Sequence, residues 1–389
     1  MKVKLIDITE NIFAGGDVPK DRFSEVITDK YRIPVYANAE KDNGLYGYTD
    51  TARVSVPCVT VAARGTIGFV AKRIEPFLPV VRLITVIPNE EKITLDYLYY
   101  ALRNCKPKSS GTSIPQLTVP DIKNYSFEIV PIPRQEEITH ILDIVELLIK
   151  VQKEQIEEYN LLIKSRFVEM FGEPIANPKG WLVKPLKGLS TLITNGNTPK
   201  GGSENYVESG IAFLRSQNVW RNRIELDDVV YIDEATHKSM MKSSLHHKDI
   251  LITKTGRINT ENSSLGRAAL FLGDDDSANI NGHIYLVRLT DEVIPEYVVT
   301  ILTGEAYRKY IRKVCVGGID KRQINVDQVE DFPIIMPPLD QQKRFAEFRK
   351  QIDKLKVANI LKVDIDIICG LLGKPEQFKI VEAIGCMVA

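Results

Sequence analysis

A chain of 389 residues with 44% hydrophobic and 26% charged side chains has the composition of a folded globular protein, and its length favours two domains over one. Disordered and collagen-like chains are excluded, and five scattered cysteines without a C-x-x-C exclude a zinc ribbon or a disulfide framework. Equal numbers of basic and acidic residues, 51 of each, exclude a uniformly positive surface but not a local basic face, because a total carries no distribution.

In chain order, the opening residues 1–13 lack the apolar core of a signal peptide. No stretch of about 18 apolar residues follows, so a cytoplasmic chain without a membrane partner is expected. Residues 47–50 read as a turn, and 54–56, 59–61 and 83–87 are β-branched runs bounded by proline and glycine, the pattern of strands. Residues 95–104 have the apolar spacing of a helix. After Pro133 comes the most regular element. Leu142, Ile149, Ile156, Ile163 and Met170 recur every seven residues, with Ile138, Val145 and Tyr159 on the adjoining stripe. A sustained heptad predicts a helix packed lengthwise on a partner helix. Gly172 and Pro174 stop it. At about 37 residues it would be roughly 55 Å long, more than a domain of this size needs for its own core.

Downstream, 249–253 and 284–289 read as strands and 295–314 as a helix. A second long helix follows Pro338, with Phe345, Phe348, Ile352 and Leu355 as its packing stripe. The stripe is less regular where Asn359 and Lys362 interrupt it, and Gly370, Gly373 and Pro375 end it.

The two halves repeat one another in order. Gln116, Leu117, Val119 and Ile122 match Gln323, Ile324, Val326 and Val329 at an offset of 207, and both segments run into an apolar strand and prolines. Tyr97 and Leu102 match Tyr297 and Leu302 at 200, Gly68 matches Gly266 at 198, and Leu5, Ile8 and Ile12 match Leu186, Leu189 and Ile193 at 181. An offset that grows steadily is the mark of a duplication whose second copy gained loops, one of them within 257–264. Each copy is an α+β module followed by a long helix. The first helix carries the chain into the second module and the second leads back, an order that places the helices antiparallel with a module near each end.

Most chemistry is absent. There is no phosphate loop, no G-x-G-x-x-G after a strand and no H-E-x-x-H, and the five histidines lack metal-ligand spacing. The run Asp274–Asp276 lies in a glycine-flanked stretch that reads as a solvated loop. No catalytic residue, metal or cofactor is assigned.

What remains are basic and amide-bearing loops at matching places in the two copies. Arg53, Arg64, Thr66 and Lys72, then Lys108, Ser109 and Gln116, belong to the first; Arg215, Gln217, Asn218, Lys254, Thr255, Arg257, Lys321, Arg322 and Gln323 belong to the second. Arginine and lysine reach phosphates and guanine edges, while amides pair with adenine. These residues are the candidate contacts to double-stranded DNA. Two other classes fit the sequence less well: a DNA-modifying enzyme with its centre among acidic loops such as 274–276, and a coiled-coil adaptor that never touches DNA.

The order of module, helix, module and helix resembles the specificity (S) subunit of type I restriction–modification systems. Residues 31–36, 44–50 and 64–68, and the endings 129–135 and 336–342 with their prolines and glutamines, carry the likeness, which extends over about 1–373. The resemblance implies two target-recognition domains, 1–133 and 174–338, each reading half of a bipartite site. It implies spacer helices over 134–173 and 339–373, with a tail at 374–389. The implied architecture is α+β, with duplicated modules held apart by antiparallel helices in a pseudo-two-fold, circular arrangement. It also implies docking of methyltransferase (modification) subunits, two of them, and of restriction subunits in the full complex, with no catalytic centre in this chain. Consistent with that, no Asn-Pro-Pro-Tyr-type methylation motif occurs. Residues 1–133 carry 17 basic and 15 acidic side chains and 181–338 carry 19 and 20. Neither module is strongly basic, so bound partners are expected to supply much of the electrostatic affinity.

Overall fold

The structure, a computed structural model, describes residues 2–105, 116–199, 201–260 and 262–372. Two compact units divide the chain between Gln152 and Lys153 and again between Ile360 and Leu361. Among the described residues no helix is long and apolar enough to cross a membrane.

The first unit is built on a four-stranded antiparallel sheet. Its order is β2 (Thr9–Ala14), β8 (Ile84–Pro88), β5 (Cys58–Val61) and β6 (Val70–Arg73). Helix α1 (Leu95–Arg103) covers one face, burying Leu98 and Leu102 against Val59, Val61, Ile84 and Val86. Both faces of β5 are buried, including that of Thr60, whose hydroxyl donates to Ala71 O at 3.3 Å and accepts from Arg73. A smaller sheet of β4 (Leu45–Thr49), β3 (Ile33–Tyr36) and β7 (Leu78–Pro79) packs on the main one through a cluster that holds Tyr36 together with Cys58, Phe13 and Ile87, and β1 (Lys2–Lys4) pairs with β9 (Ser126–Glu128) after the short helix α2 (Val119–Lys123). The long helix α3 spans Ile132–Phe171.

The second unit carries the same plan. Strands β11 (Ser190–Asn195), β21 (Ile284–Leu289), β17 (Ile250–Thr253) and β19 (Ala268–Leu270) form the matching sheet. Helix α5 (Pro295–Thr303) covers it, and β10 (Leu182–Pro185) pairs with β24 (Pro333–Met336) after α7 (Val326–Glu330). The likeness extends to irregularities. The bulge between Thr9 and Asn11 recurs between Ser190 and Leu192. Tyr97 donates its hydroxyl to Glu128 O at 3.0 Å, and Tyr297 donates to Ile335 O at 3.0 Å. A Cβ on Gly15 would meet Pro79 O at 2.5 Å, and one on Gly196 would meet Ile280 O at 2.0 Å, so the same close backbone approach demands glycine in both copies.

Insertions distinguish the second unit. The smaller sheet recurs as β16 (Val230–Ile232), β13 (Ile211–Leu214) and β20 (Ala278–Ile280), with the same antiparallel and parallel pairings, and is extended by an edge strand β12 (Tyr206–Val207), a helix α4 (Glu234–Ser239) and a hairpin of β14 (Val219–Trp220) and β15 (Arg223–Ile224). Beyond β17 lies a three-stranded sheet of β18 (Thr255–Arg257), β23 (Lys321–Gln323) and β22 (Val316–Gly317). A bidentate pair holds part of this together: Arg288 donates to both oxygens of the buried Asp249, at 2.9 and 2.7 Å.

Several expectations need correction. Residues 54–56 form no strand; Val54 makes only an isolated bridge to Phe77, because proline at 57 leaves no ladder donor. Residues 47–50 are not a turn, since Gly47 lies inside β4 where the Phe23 ring occupies the space a side chain would need. The stretch 295–314 is two helices, α5 and α6 (Glu305–Val314), separated by an extended Gly304.

The heptad forms as expected. Leu142, Val145, Ile163 and Phe167 are buried, and Ile149, Ile156 and Met170 are half-buried. In the second unit Phe167 meets Phe345 edge-on, with ring centroids 5.4 Å apart, while Lys356 donates to Asn160 at 2.9 Å. Position rises along α3 as it falls along α8 (Leu339–Leu372), so within this unit the two helices run antiparallel. Phe348 and Ile352 lie on the packed side. Leu355 does not: it is 48% exposed, and Lys356 takes the position facing α3.

Candidate nucleic-acid interface

The loops that leave β5 and β17 hold the candidate residues, and each is closed by the segment carrying the repeated glutamine. Leu117 N donates to Ala63 O at 2.9 Å in the first unit, and Ile324 N donates to Lys254 O at 2.9 Å in the second. One backbone bond therefore sets Gln116 beside Arg64, and its duplicate sets Gln323 beside Thr255. A capping box on α2 (Thr118 with Asp121) and another on α7 (Asn325 with Gln328) fix where the glutamine segments end.

In the first unit the Arg64 guanidinium donates through Nε and Nη2 to Gln116 Oε1, at 3.1 and 2.8 Å, with Arg64 exposed and Gln116 half-buried. The pair leaves further guanidinium and amide donors for a ligand. Gly65 at φ +69° makes the turn, and Thr66 is exposed beside it. Lys72 lies elsewhere: on β6 it pairs with Asp96 at 2.7 Å and lies over the Tyr99 ring, so its charge is already matched. Arg53 is exposed and stacks on Phe13 with its Cζ 4.7 Å from the ring centroid. Lys108 and Ser109 lie outside the described residues.

The second unit gathers five candidates on one small sheet. Thr255 pairs with Gln323, and Arg257 with Lys321, in the β18–β23 register. Arg257 and Lys321 are exposed, with Arg257 Nε 3.3 Å from Asp320. Arg322 folds back onto Gly318 O, and Gln323 donates to Asn325. Lys254 is half-buried over the Tyr285 ring.

Arg215, Gln217 and Asn218 converge instead on a single carboxylate. All three donate to Asp228, and the hydrogen bond from Gln217, reinforced by Arg215 and Asn218, holds that carboxyl below its usual value. Asn218 is fully buried and also caps its own turn by accepting from Arg215 N at 2.8 Å. Its amide is spent on the fold.

One cluster escapes a reading of the sequence. Trp220 at the β14–β15 turn lies under Arg267, whose Cζ is 3.8 Å from the ring centroid, and Arg223 approaches the same ring at 5.1 Å. Burial, then the neighbouring Arg221 and Arg223, pulls the Arg267 guanidinium below its ordinary value; burial and Arg221 do the same to Arg308 on α6. Arg223 is paired with Glu225 at 2.8 Å and Arg267 donates to Ser263 O at 3.1 Å, so part of this charge is already matched and the cluster stays net cationic. The tetrapeptide Trp220-Arg221-Asn222-Arg223 is the available signal; its partners come from distant segments.

The acidic run 274–276 is a hydrogen-bonded turn. Asp275 accepts from His247 N, and Asp276 accepts from Ser244 Oγ. Among the described residues no group of three or more His, Cys, Asp or Glu side chains is placed to hold a metal ion.

Compared with known proteins, residues 1–159 and 178–363 match the family model described as type I restriction modification DNA specificity domain. A Mycoplasma pneumoniae protein designated a type I specificity subunit is 39% identical over 140 residues, 36% of this chain and 41% of that protein. A type I restriction enzyme specificity subunit of Methanocaldococcus jannaschii is 23% identical over 287 residues, 69% of this chain and 66% of that one. The matched segments thus span from about two fifths to just under two thirds of these relatives. In fold, the chain is similar to the crystal structure of a type I restriction–modification S subunit from M. genitalium, with a TM-score of 0.54 and 14% identity over 94% of this chain and 92% of that one.

Proposed function

The chain belongs to the type I restriction–modification DNA specificity family, and from that premise we propose that each copy of its repeat reads one part of a bipartite duplex-DNA target. The observation that carries this reading is the duplicated loop. The same backbone bond sets a glutamine beside the strand-end loop in each copy, while the neighbouring side chains differ: Arg64 in one, Thr255 with Arg257, Lys321 and Arg322 in the other. A shared frame with unlike side chains suits two half-sites of unlike sequence. The recognition segments are taken as 1–133 and 174–338, with 134–173 and 339–373 as spacers.

The proposal extends to partners. Outside its packed stripe, α3 keeps Leu147 60% and Leu161 61% exposed, more apolar surface than a solvated helix face usually carries. These residues would seat the methyltransferase subunits, two of them, with restriction subunits joining in the full complex, and the chemistry would reside in those partners. This chain would then act in the cytoplasm as a reader without cofactor or catalysis.

Methylation-site mapping of the complex assembled with its modification subunits tests the reading. Arg64→Ala should relax the methylated motif in one half only, and Arg257→Ala with Lys321→Ala in the other. Wild-type motifs and rates from both variants would overturn it, as would strand cleavage or methyl transfer by the purified chain alone.

A further inference from the structure

The β22–β23 hairpin ends in Gly318-Ile319-Asp320, and Ile319 is 90% exposed, the most exposed of the large hydrophobic residues described. An isoleucine left in water contributes no burial to folding. Nor is the tip loose. Strand β23 is paired on both sides, by β18 and β22. Arg322 donates from Nε to Gly318 O at 3.2 Å, and Ile258 N donates to Asp320 O at 3.1 Å, so the residues flanking Ile319 are tied from both directions. Gly317 at φ +127° makes the bend that a side chain would oppose. The hairpin therefore presents one apolar side chain on a braced support.

Its surroundings are cationic. Exposed Arg257 and Lys321 lie on the adjoining strands, and α6 delivers the exposed Lys309, Arg312 and Lys313 just before the hairpin. The one acidic residue in 306–323, Asp320, is matched by Arg257. An apolar tip on a hairpin whose own strands and preceding helix carry exposed cations complements a groove whose floor is base edges and whose walls are phosphates. A partner protein would need acidic walls around an apolar pocket to match it equally well.

We infer that Ile319 enters a groove of the target duplex and makes an apolar contact with base edges in the half-site read by the second unit. This rests on the DNA-reading function proposed above and assigns it a residue outside the polar contacts. Apolar side chains read the thymine methyl in the major groove and wedge base steps in the minor groove.

The test uses the full chain assembled with its methyltransferase subunits, and measures binding to target and to unrelated duplexes by fluorescence anisotropy, with the methylated motif mapped in parallel. Ile319→Ala should weaken target binding roughly tenfold and relax one base position of the motif, while binding to unrelated duplex and the melting temperature stay unchanged. Ile319→Lys should bind unrelated duplex at least as tightly, yet fail to restore the target preference. Target binding within twofold of wild type and an intact motif for both variants would overturn the inference. So would loss of methyltransferase assembly in place of DNA affinity, which would assign the tip to a protein contact. A wild-type complex that preferred no sequence would instead sink the DNA-reading function itself, a separate outcome.

Discussion

Gln135 and Gln342 show how a single residue type ties a long helix to its module. Both are fully or almost fully buried near the start of their helices. Gln135 accepts from Thr94 N at 2.9 Å and donates to Lys92 O and Val130 O; Gln342 accepts from Ile294 N at 3.1 Å and donates to Pro337 O. The partners are backbone groups just before α1 or α5 (Lys92, Thr94 and Ile294) and just before the long helix itself (Val130 and Pro337), so each glutamine ties two chain segments together. Removing one side of such a network costs the desolvation of the groups left behind. Gln135→Leu and Gln342→Leu, which keep the volume, should each lower stability by about 2–4 kcal/mol in urea unfolding. Gln341→Leu, one residue away and half-exposed, should shift it by less than about 0.5 kcal/mol. Equal, small effects at all three positions would refute the pinning role.

At the scale of elements, the long helix is the most legible feature in the sequence, because seven-residue recurrence survives whatever it packs against. Its stripe is buried or half-buried as the heptad requires. The second helix is less legible, since its inward positions include polar residues. Arg349 is buried among Glu296 O, Thr300 and Asn222, and Lys356 bonds Asn160. A hydrophobic pattern cannot register a position satisfied by hydrogen bonds, so it assigns Leu355 the packing that Lys356 performs. The loops behave similarly. The repeat locates Arg64 with Gln116 and Thr255 with Gln323, whereas Asn218 and Lys72 serve internal partners that lie 10 and 24 residues away. If the helices set the distance between half-sites, seven residues inserted near Ile156, with a matching insertion in α8, add about 10 Å of helix, or roughly three base pairs. Mapping methylated sites should show the unread gap widened by that amount with both half-sites intact. An unchanged gap would show that the helices do not act as a ruler.

For the whole molecule, zero net charge and DNA binding become compatible once charge is located rather than totalled. Arg223 and Arg267, which meet at the Trp220 ring, and Arg221 and Arg308, whose charges act on Arg267, all belong to the second unit, and the hairpin that brings Arg221 and Arg223 is an insertion there. Of the candidate cations placed in the first unit, Lys72 is matched by Asp96, which leaves the exposed Arg53 and Arg64. The two units should therefore contribute unequally to phosphate binding even where they contribute equally to sequence. In the assembled complex, Arg221→Ala with Arg223→Ala should weaken binding to target and unrelated duplex alike. It should also flatten the dependence of log K on log salt by about 0.9 for each phosphate that is no longer neutralised. The methylated motif should stay as in the wild type, unlike the outcome for Arg64→Ala. The isolated chain, lacking its partners' cations, should bind weakly and with a shallow salt slope. Tight, steeply salt-dependent binding by the chain alone would show that its own surface supplies the electrostatic grip here assigned to the assembly.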